Sequence, residues 1–397
     1  MKICLIVDDY MPHSIKVAAK MMHELACEFV KQGHEVSVLT PDATVSSLSV
    51  DNLDGVKVCR FHSGEIKNAG KVKRAINETL LSWNAWKNSK DFIKNNPHDL
   101  IVCYSPTIFF GPLVYMLKKK WKAKSYLVLR DFFPQWVIDN KILKKHSPIT
   151  YYFKFFERIN YAVADTIGVM SEKNLEWFEQ YYQSNTPLEV LHNWANLQKF
   201  GKKSNKYRQE LGLEDKVVFF YGGNLGHAQD MMNIVRLAKN MKNEKQAHFV
   251  LVGAGDEYEP IDESIKKQNM KNITLLPSVD QEEYKLMLAE FDIGLFTLNK
   301  NHKTHNFPGK LLGYMVQDMP ILGSVNPDND LKAILEEYQA GLVTVNGEDE
   351  LFYENAKKLL NKDLRIKIGI NAKKLLIDKF SVESATKQVV RTFKKNH

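Results

Sequence analysis

Residues Val217 to Asp230 read VVFFYGGNLGHAQD, and this stretch decides the fold. Val217, Val218, Phe219, Phe220 and Tyr221 form an unbroken apolar run, as expected of a strand covered on both faces. Gly222, Gly223 and Gly226 crowd in directly after it, and Met231, Ile234, Val235 and Ala238 then recur at helical spacing. Strand, glycine turn and helix start together predict an anion cradle. Loop N–H groups converge there, and the helix terminus adds partial positive charge. A plain tight turn in a parallel sheet uses the same glycines, so the rest of the chain has to separate the two.

At 397 residues the chain is long enough for two domains of about 150–200 residues each. Met1-Lys2 runs straight into the apolar ICLIV and then Asp8-Asp9, which predicts a first core strand rather than a leader peptide. Cys4, Cys27, Cys59 and Cys103 lack metal-ligand spacing and sit mostly in apolar runs. Buried thiols in a reducing, cytoplasmic compartment are expected. Leu100–Leu117 carries no charge, but Ser105, Pro106, Thr107, Gly111 and Pro112 interrupt it. Strand, loop and amphipathic helix fit it better than a membrane span, which needs about 20 apolar residues.

The net charge of +8 is concentrated in one region. Between Lys118 and Arg158 eleven Lys and Arg face three acids, Asp131, Asp139 and Glu157. Trp121, Tyr126, Phe132, Phe133, Trp136, Tyr151, Tyr152, Phe153, Phe155 and Phe156 are interleaved with them. Region 118–158 therefore suits an anionic membrane surface. A solvated basic face over core aromatics is the plainer alternative, and nucleic acid is not expected as a partner.

Strands and helices alternate through both halves. In the first, strands are expected at Lys2–Val7, Glu35–Leu39, Val56–Phe61, Leu100–Tyr104, Ser125–Leu129, Thr166–Val169 and Glu189–Leu191. Helices are expected at Ser14–Gln32, with Val17, Met21, Leu25 and Phe29 inward, and at Val72–Ile93, with a stripe of Ile76, Leu80, Trp83 and Trp86. Further helices are expected near Pro134–Asn140, at Pro148–Ala162 and at Glu172–Tyr182. The second half places strands at Val217–Tyr221, Phe249–Val252, Thr274–Leu276, Asp292–Thr297, Ile321–Gly323 and Leu342–Val345. The fold class is α/β, with two doubly wound, Rossmann-like domains facing across a cleft. The expected division is 1–190, 191–375, and a final helical segment 376–397 that returns to the first domain.

Three marked turns follow strands of the second half: Gly222–Gly226, Gly253-Ala254-Gly255, and Pro308-Gly309-Lys310-Leu311. Pro308 suits a helix start, which puts the Lys310 charge beside free N–H groups. On these residues the chain resembles glycosyltransferases of the GT-B fold, family 4. YGGNLGHAQ, LVGAGDEYEP and FPGKLLGYMVQDMPIL resemble the family's donor-domain segments, and GHEVSVLT, LRDFFPQW and LHNWAN its first-domain and linker segments. The six occur in order over nearly the full length. The subgroup resembled builds surface-polysaccharide units and includes the N-acetyl-L-fucosamine transferase type.

The resemblance implies a retaining, metal-independent transfer that uses no cofactor. The donor is a UDP-sugar held by the second domain. The acceptor is a lipid-diphosphate-linked sugar held by the first, as in O-antigen or capsule biosynthesis, at the inner membrane face. Two departures stand out. Asn224 and Gln229 occupy positions where many members carry Arg and Lys, and His305 and Gly313 occupy the positions of a glutamate pair. Asp328-Asn329-Asp330 spells a metal signature of another glycosyltransferase fold, but it reads here as a turn and helix cap.

Donor contacts are accordingly expected from Gly222, Gly223, Asn224, Leu225, Gly226, Gln229, Gly253, Gly255, Pro308, Gly309, Lys310 and Leu311. Lys310 would stabilise charge on the leaving diphosphate. Asp131, at a strand's carboxyl end, would hold or deprotonate the acceptor hydroxyl, unless it merely pairs with Arg130 or caps a helix. Asp9, Lys16 and Arg130 are the other acceptor-side candidates, and His13, His192, His227 and His305 are loop histidines to place. Two other functions share these features: a nucleotide-sugar epimerase and a non-catalytic nucleotide-sugar-binding subunit.

Overall fold

The computed structural model describes residues 1–14, 16–66, 70–139, 141–182, 185–201, 204–301 and 307–394. The chain forms two compact units, Met1–His192 with Val382–His397, and Asn193–Ser381.

The strands of the first unit are β1 (Lys2–Ile6), β2 (Glu35–Asp42), β3 (Ser49–Leu53), β4 (Val56–His62), β5 (Leu100–Ser105), β6 (Lys124–Leu129), β7 (Thr166–Val169) and β8 (Leu188–Val190). They make one sheet in the order β3-β4-β2-β1-β5-β6-β7-β8, parallel except for the β3–β4 hairpin. Its helices are α1 (Val17–Lys31), α2 (Lys71–Thr79), α3 (Leu81–Asn88), α4 (Lys90–Asn95), α5 (Gly111–Trp121), α6 (Gln135–Asp139), α7 (Pro148–Ala162) and α8 (Glu172–Tyr181). β1 is central, and Ile3 to Val7 are fully buried. Such a strand must be apolar on both faces, which is why ICLIV reads as a continuous run. The chain's last helix belongs to this unit and packs on α1, with Gln32 Nε2 donating to Thr386 Oγ1 at 2.7 Å.

Several expectations are corrected here. The single helix over Val72–Ile93 is three short ones. Near the first break the Thr79 hydroxyl donates back to the Ala75 carbonyl at 2.6 Å, a local bond that competes with helix continuation. The stripe does not face the core: Ile76, Leu80 and Trp83 are exposed, and only Trp86 leans on it. Val17 is exposed too, so the buried face of α1 starts at Ala19 and Met21. The uncharged Leu100–Leu117 stretch is β5, a loop and most of α5. Among the described residues no helix is long and apolar enough to cross a membrane.

Region 118–158 divides. Trp121 and Tyr126 are buried, and Phe132, Phe133, Phe153 and Phe156 pack against the core. Lys118 is held by Asp165 at 2.7 Å and by the Val163 carbonyl. Trp136, Tyr151, Tyr152 and Phe155 remain exposed.

The strands of the second unit are β9 (Val217–Asn224), β10 (Ala247–Ala254), β11 (Ile273–Leu276), β12 (Ile293–Thr297), β13 (Ile321–Val325) and β14 (Gly341–Val345), all parallel, in the order β11-β10-β9-β12-β13-β14. Its helices are α9 (Lys206–Leu211), α10 (Met232–Asn240), α11 (Tyr258–Lys267), α12 (Gln281–Glu290), α13 (Lys310–Val316), α14 (Asp330–Glu337), α15 (Asp349–Lys358) and α16 (Lys362–Leu375), and α17 (Val382–Lys394) is the one that returns to the first unit. β9 is the strand on which the order reverses, between β10 and β12, and ligands of such sheets sit at the strand carboxyl ends beside that point. Asn329 caps α14 through a bond from the Leu331 amide at 3.0 Å, so Asp328–Asp330 is a turn and cap.

Candidate functional site

β9 runs three residues beyond its apolar core, so Gly222 and Gly223 are still strand. Gly223 and Asn224 pair in register with Gly253 and Ala254 of β10. This closeness requires glycine. A Cβ on Gly253 would stand 1.9 Å from the Gly223 carbonyl oxygen, and one on Gly255 2.3 Å from that of Leu225. Gly253 and Gly255 therefore act by letting the two turns nest.

Lys310 opens α13 and reaches back to this place. Its Nζ lies 3.3 Å from the centre of the Tyr221 ring and 3.4 Å from where a Gly223 side chain would begin. Burial drives its pKa well below the ordinary lysine value, and among the described residues no carboxylate offsets that. A cation held over an aromatic face beside a bare strand end is a receptor for an anion. Around it, Asn224 donates to Gln229 at 3.0 Å, on the exposed rim. His227 is claimed by Asp256 at 3.2 Å and by Glu257, so it ties the first turn to the second.

Two of the expected donor-side residues have no free amide. Leu225 is fully buried, and its N–H bonds to the Ala254 carbonyl at 3.0 Å. Leu311 is also core, and its N–H goes to the Pro308 carbonyl at 3.0 Å. Neither offers a donor to a ligand, because the turn and helix that position them consume those groups. Pro308 lies two residues before α13, with Gly309 as the cap. The positive N-terminal end of α10 already has a carboxylate beside it: Asp230, two residues before the helix, accepts from Asn346 at 3.0 Å. His305 lies outside the described residues. Gly313 stands with Leu288 and Phe200 as neighbours, so no acid is available at that position.

In the first unit a cavity of about 730 Å³ opens at the carboxyl ends of β1, β2 and β4, and Asp9, His13, Ser14, Lys16, Asp42 and Arg60 contribute to its lining. Asp9 accepts from Ser14 at 2.7 Å, and Lys16 is the residue before α1. His13 meets Asp42 at 2.9 Å. Burial raises the Asp42 pKa, but hydrogen bonds from Thr44 and His13 outweigh it and hold the carboxyl below its usual value. Arg60 is almost fully buried, with Nη2 on the Met11 carbonyl. The signal for Arg60 was present in the sequence as a charge set between the apolar Cys59 and Phe61 of the strand VKVCRFH.

Arg130 and Asp131 do not line this cavity; they stand at the end of β6, two strands from β1. The Arg130 guanidinium donates to the His192 carbonyl at 3.1 Å, and burial lowers its pKa to about 10. The His192 ring in turn meets the Met170 carbonyl. Burial raises the Asp131 pKa against hydrogen bonds from Trp136 and the Phe132 amide, which suits a carboxylate that takes a proton. Among the described residues one cluster could take a cation: His23, Cys27 and Asp54, on α1 and the β3–β4 turn. Its members already satisfy one another, with His23 bonded to Asp54 at 2.9 Å and to Tyr10 at 2.9 Å.

The sequence profile of Glycosyltransferase Family 4 matches residues 18–199, and that of Glycosyl transferases group 1 matches residues 203–375. The chain belongs to the family 4 glycosyltransferases of the GT-B fold. Curated relatives of this family 4 chain include the probable glycosyltransferase WbjE of Pseudomonas aeruginosa, 24% identical over 58% of each chain. The putative colanic acid biosynthesis glycosyl transferase WcaI of Escherichia coli K12 is 20% identical over 54% of each. The match thus spans little more than half the length of these relatives. Among solved structures, Anabaena HepE in complex with UDP-glucose aligns with a TM-score of 0.66 over 100% of both chains at 14% identity. Sucrose-phosphate synthase from Thermosynechococcus elongatus gives 0.68, over 100% of this chain and 98% of that one, at 13% identity. These two likenesses show the fold.

Proposed function

We propose that the chain transfers a sugar from a UDP-linked donor to a lipid-diphosphate-linked acceptor, with retention and without a metal, in assembly of a surface polysaccharide. The observation that carries this is Lys310 poised beside Gly223 with no anion of its own. A diphosphate fits there, because charge developing on the leaving group would meet a preorganised cation in a low-dielectric setting. Gly223, Asn224, Gly226, Gln229, Pro308 and Gly309 form the rest of the donor wall, with Gly222, Gly253 and Gly255 shaping it. Asp9, Lys16 and Arg130 serve the acceptor side, and Asp131 takes the acceptor proton. Family membership and the UDP-glucose complex of HepE support the donor class, and the colanic acid biosynthesis for which WcaI is named supports the polysaccharide context. The chain is proposed to act at the cytoplasmic face of the inner membrane.

UDP release from a panel of UDP-sugars, with and without a diphosphate-linked acceptor, tests this. Release only with acceptor is the expected result. A sugar isomerised without acceptor would make the chain an epimerase, and tight binding with no turnover would make it a binding subunit. The Lys310 pKa adds a second expectation. It is depressed in the free protein and should recover when a diphosphate arrives, so the complex holds more protons than the free chain. UDP binding should therefore take up a proton, and affinity should fall as pH rises between the depressed value and the ordinary one. Calorimetry in two buffers of different ionisation enthalpy reads this directly, and no proton uptake would refute it.

A further inference from the structure

The helical stripe that does not enter the core needs an account. Val72, Ile76, Leu80 and Trp83 recur at the spacing of one helix face, across α2 and the start of α3, and are 75, 54, 43 and 62% exposed. On α7, Ile149, Tyr151 and Phe155 are 47, 58 and 59% exposed. The two sets adjoin. Thr79 at the end of α2 hydrogen-bonds the Tyr152 hydroxyl of α7. Ser82 of α3 donates to the Phe109 carbonyl, and the Phe109 ring packs on Tyr152, Phe153 and Phe156. A continuous apolar surface of this kind on one unit marks an interaction site.

We propose that the outer faces of α2, α3 and α7 form a docking surface for an anionic lipid bilayer. Charge chooses the occupant. Exposed Lys73, Lys87, Lys144, Lys145 and Arg158 stand on and around these elements. The acids of the helices are spent, since Glu78 is bonded by Arg74 at 2.9 Å and Glu157 is buried under Tyr181. A rim in which exposed Lys and Arg outnumber the exposed acids Glu65 and Asp91, around Trp and Tyr side chains, matches the headgroup layer of an anionic leaflet. A second copy related by two-fold symmetry would set this positive rim against itself. The surface also differs from the one that charge density alone selects, because Lys118 and Lys124 are tied to Asp165.

The inference rests on a membrane-borne acceptor for its purpose, but its test needs no sugar. The full chain is sedimented with phosphatidylcholine vesicles containing phosphatidylglycerol, and with pure phosphatidylcholine. Wild type is expected to bind the anionic vesicles in a salt-sensitive way. The double variant Ile76→Ser, Trp83→Ser should lose about tenfold or more in partitioning, since membrane affinity scales with buried apolar area. Lys119→Gln with Lys120→Gln should bind as wild type does. Trp83→Phe provides an arm that does not depend on a drastic change: the blue shift of fluorescence on adding vesicles should shrink. Equal binding of wild type and the double variant, or no binding at all, overturns the surface. So does a wild-type dimer in light scattering that the double variant makes monomeric. Transfer to a short-chain, water-soluble diphosphate sugar should persist in the variant. Loss of vesicle binding with that transfer intact separates failure of the surface from failure of the transferase reading.

Discussion

Lys310→Met is expected to cut donor turnover by roughly 10²–10³ and to leave the protein at least as stable as before. The two effects have one cause. The ammonium of the half-buried Lys310 side chain sits over the Tyr221 ring, and burial is what lowers its pKa. A charge kept in that state costs folding energy, which a cation–π contact of about 0.5–2 kcal/mol offsets only in part. Methionine keeps the stem and removes the charge. The sign with pH follows. The folded-state pKa lies below the unfolded one, so the cost is full below the folded value and fades as pH rises toward the ordinary lysine value. The stability gap between variant and wild type should close as pH rises. Turnover responds oppositely. Losing one preorganised charge at a leaving group costs about 2.7–4 kcal/mol, or roughly 10²–10³ in rate. Rates of UDP release and thermal melts over a pH series check both. Turnover within about twofold of wild type would refute the electrostatic role.

Much of this was legible in the chain. A strand with neighbours on both edges and helices on both faces must be apolar throughout, so VVFFY and ICLIV announced β9 and β1. Glycines that let backbones nest were visible as clusters, though sequence alone could not divide them. Gly253 and Gly255 serve a neighbouring strand, while Gly223 faces Lys310. What was illegible depends on where individual N–H groups are spent. Leu225 and Leu311 lie among donor candidates by position, but the Leu225 amide is taken by Ala254 of the neighbouring strand and the Leu311 amide closes a local turn. The α2–α3 stripe has helical period and apolar content, and periodicity does not say whether its partner is a core or a surface. The β3–β4 hairpin escaped because its edge strand, SVDNL, is polar and short. Arg60 and Asp42 line one cavity only because β2 and β4 are adjacent in the sheet, which no local pattern contains.

Gly253→Ala and Gly309→Ala together separate the glycines that hold the fold from those that admit a ligand. At Gly253 a methyl would sit 1.9 Å from the Gly223 carbonyl oxygen. That oxygen belongs to a central strand in register with β10, so relief requires the ladder itself to part. Overpacking of this kind typically costs about 1–3 kcal/mol, and an obstacle made of backbone belongs at the upper end. With a urea slope of about 1–3 kcal/mol/M, the midpoint should fall by about 1 M or more. UDP affinity should fall with it, because the displaced atom neighbours the place Lys310 occupies. Gly309 has nothing within 4 Å of an added methyl and a helical φ of −58°. Alanine there should change stability by no more than about 0.5 kcal/mol. If the α13 start approaches the donor phosphates, the same methyl intrudes on them, and UDP affinity should drop by about tenfold at an unchanged urea midpoint. An unchanged midpoint in Gly253→Ala would mean that the two turns do not nest as described. Unchanged UDP binding in Gly309→Ala would move the diphosphate away from α13 and leave Lys310 to act on it from the tip of its side chain alone.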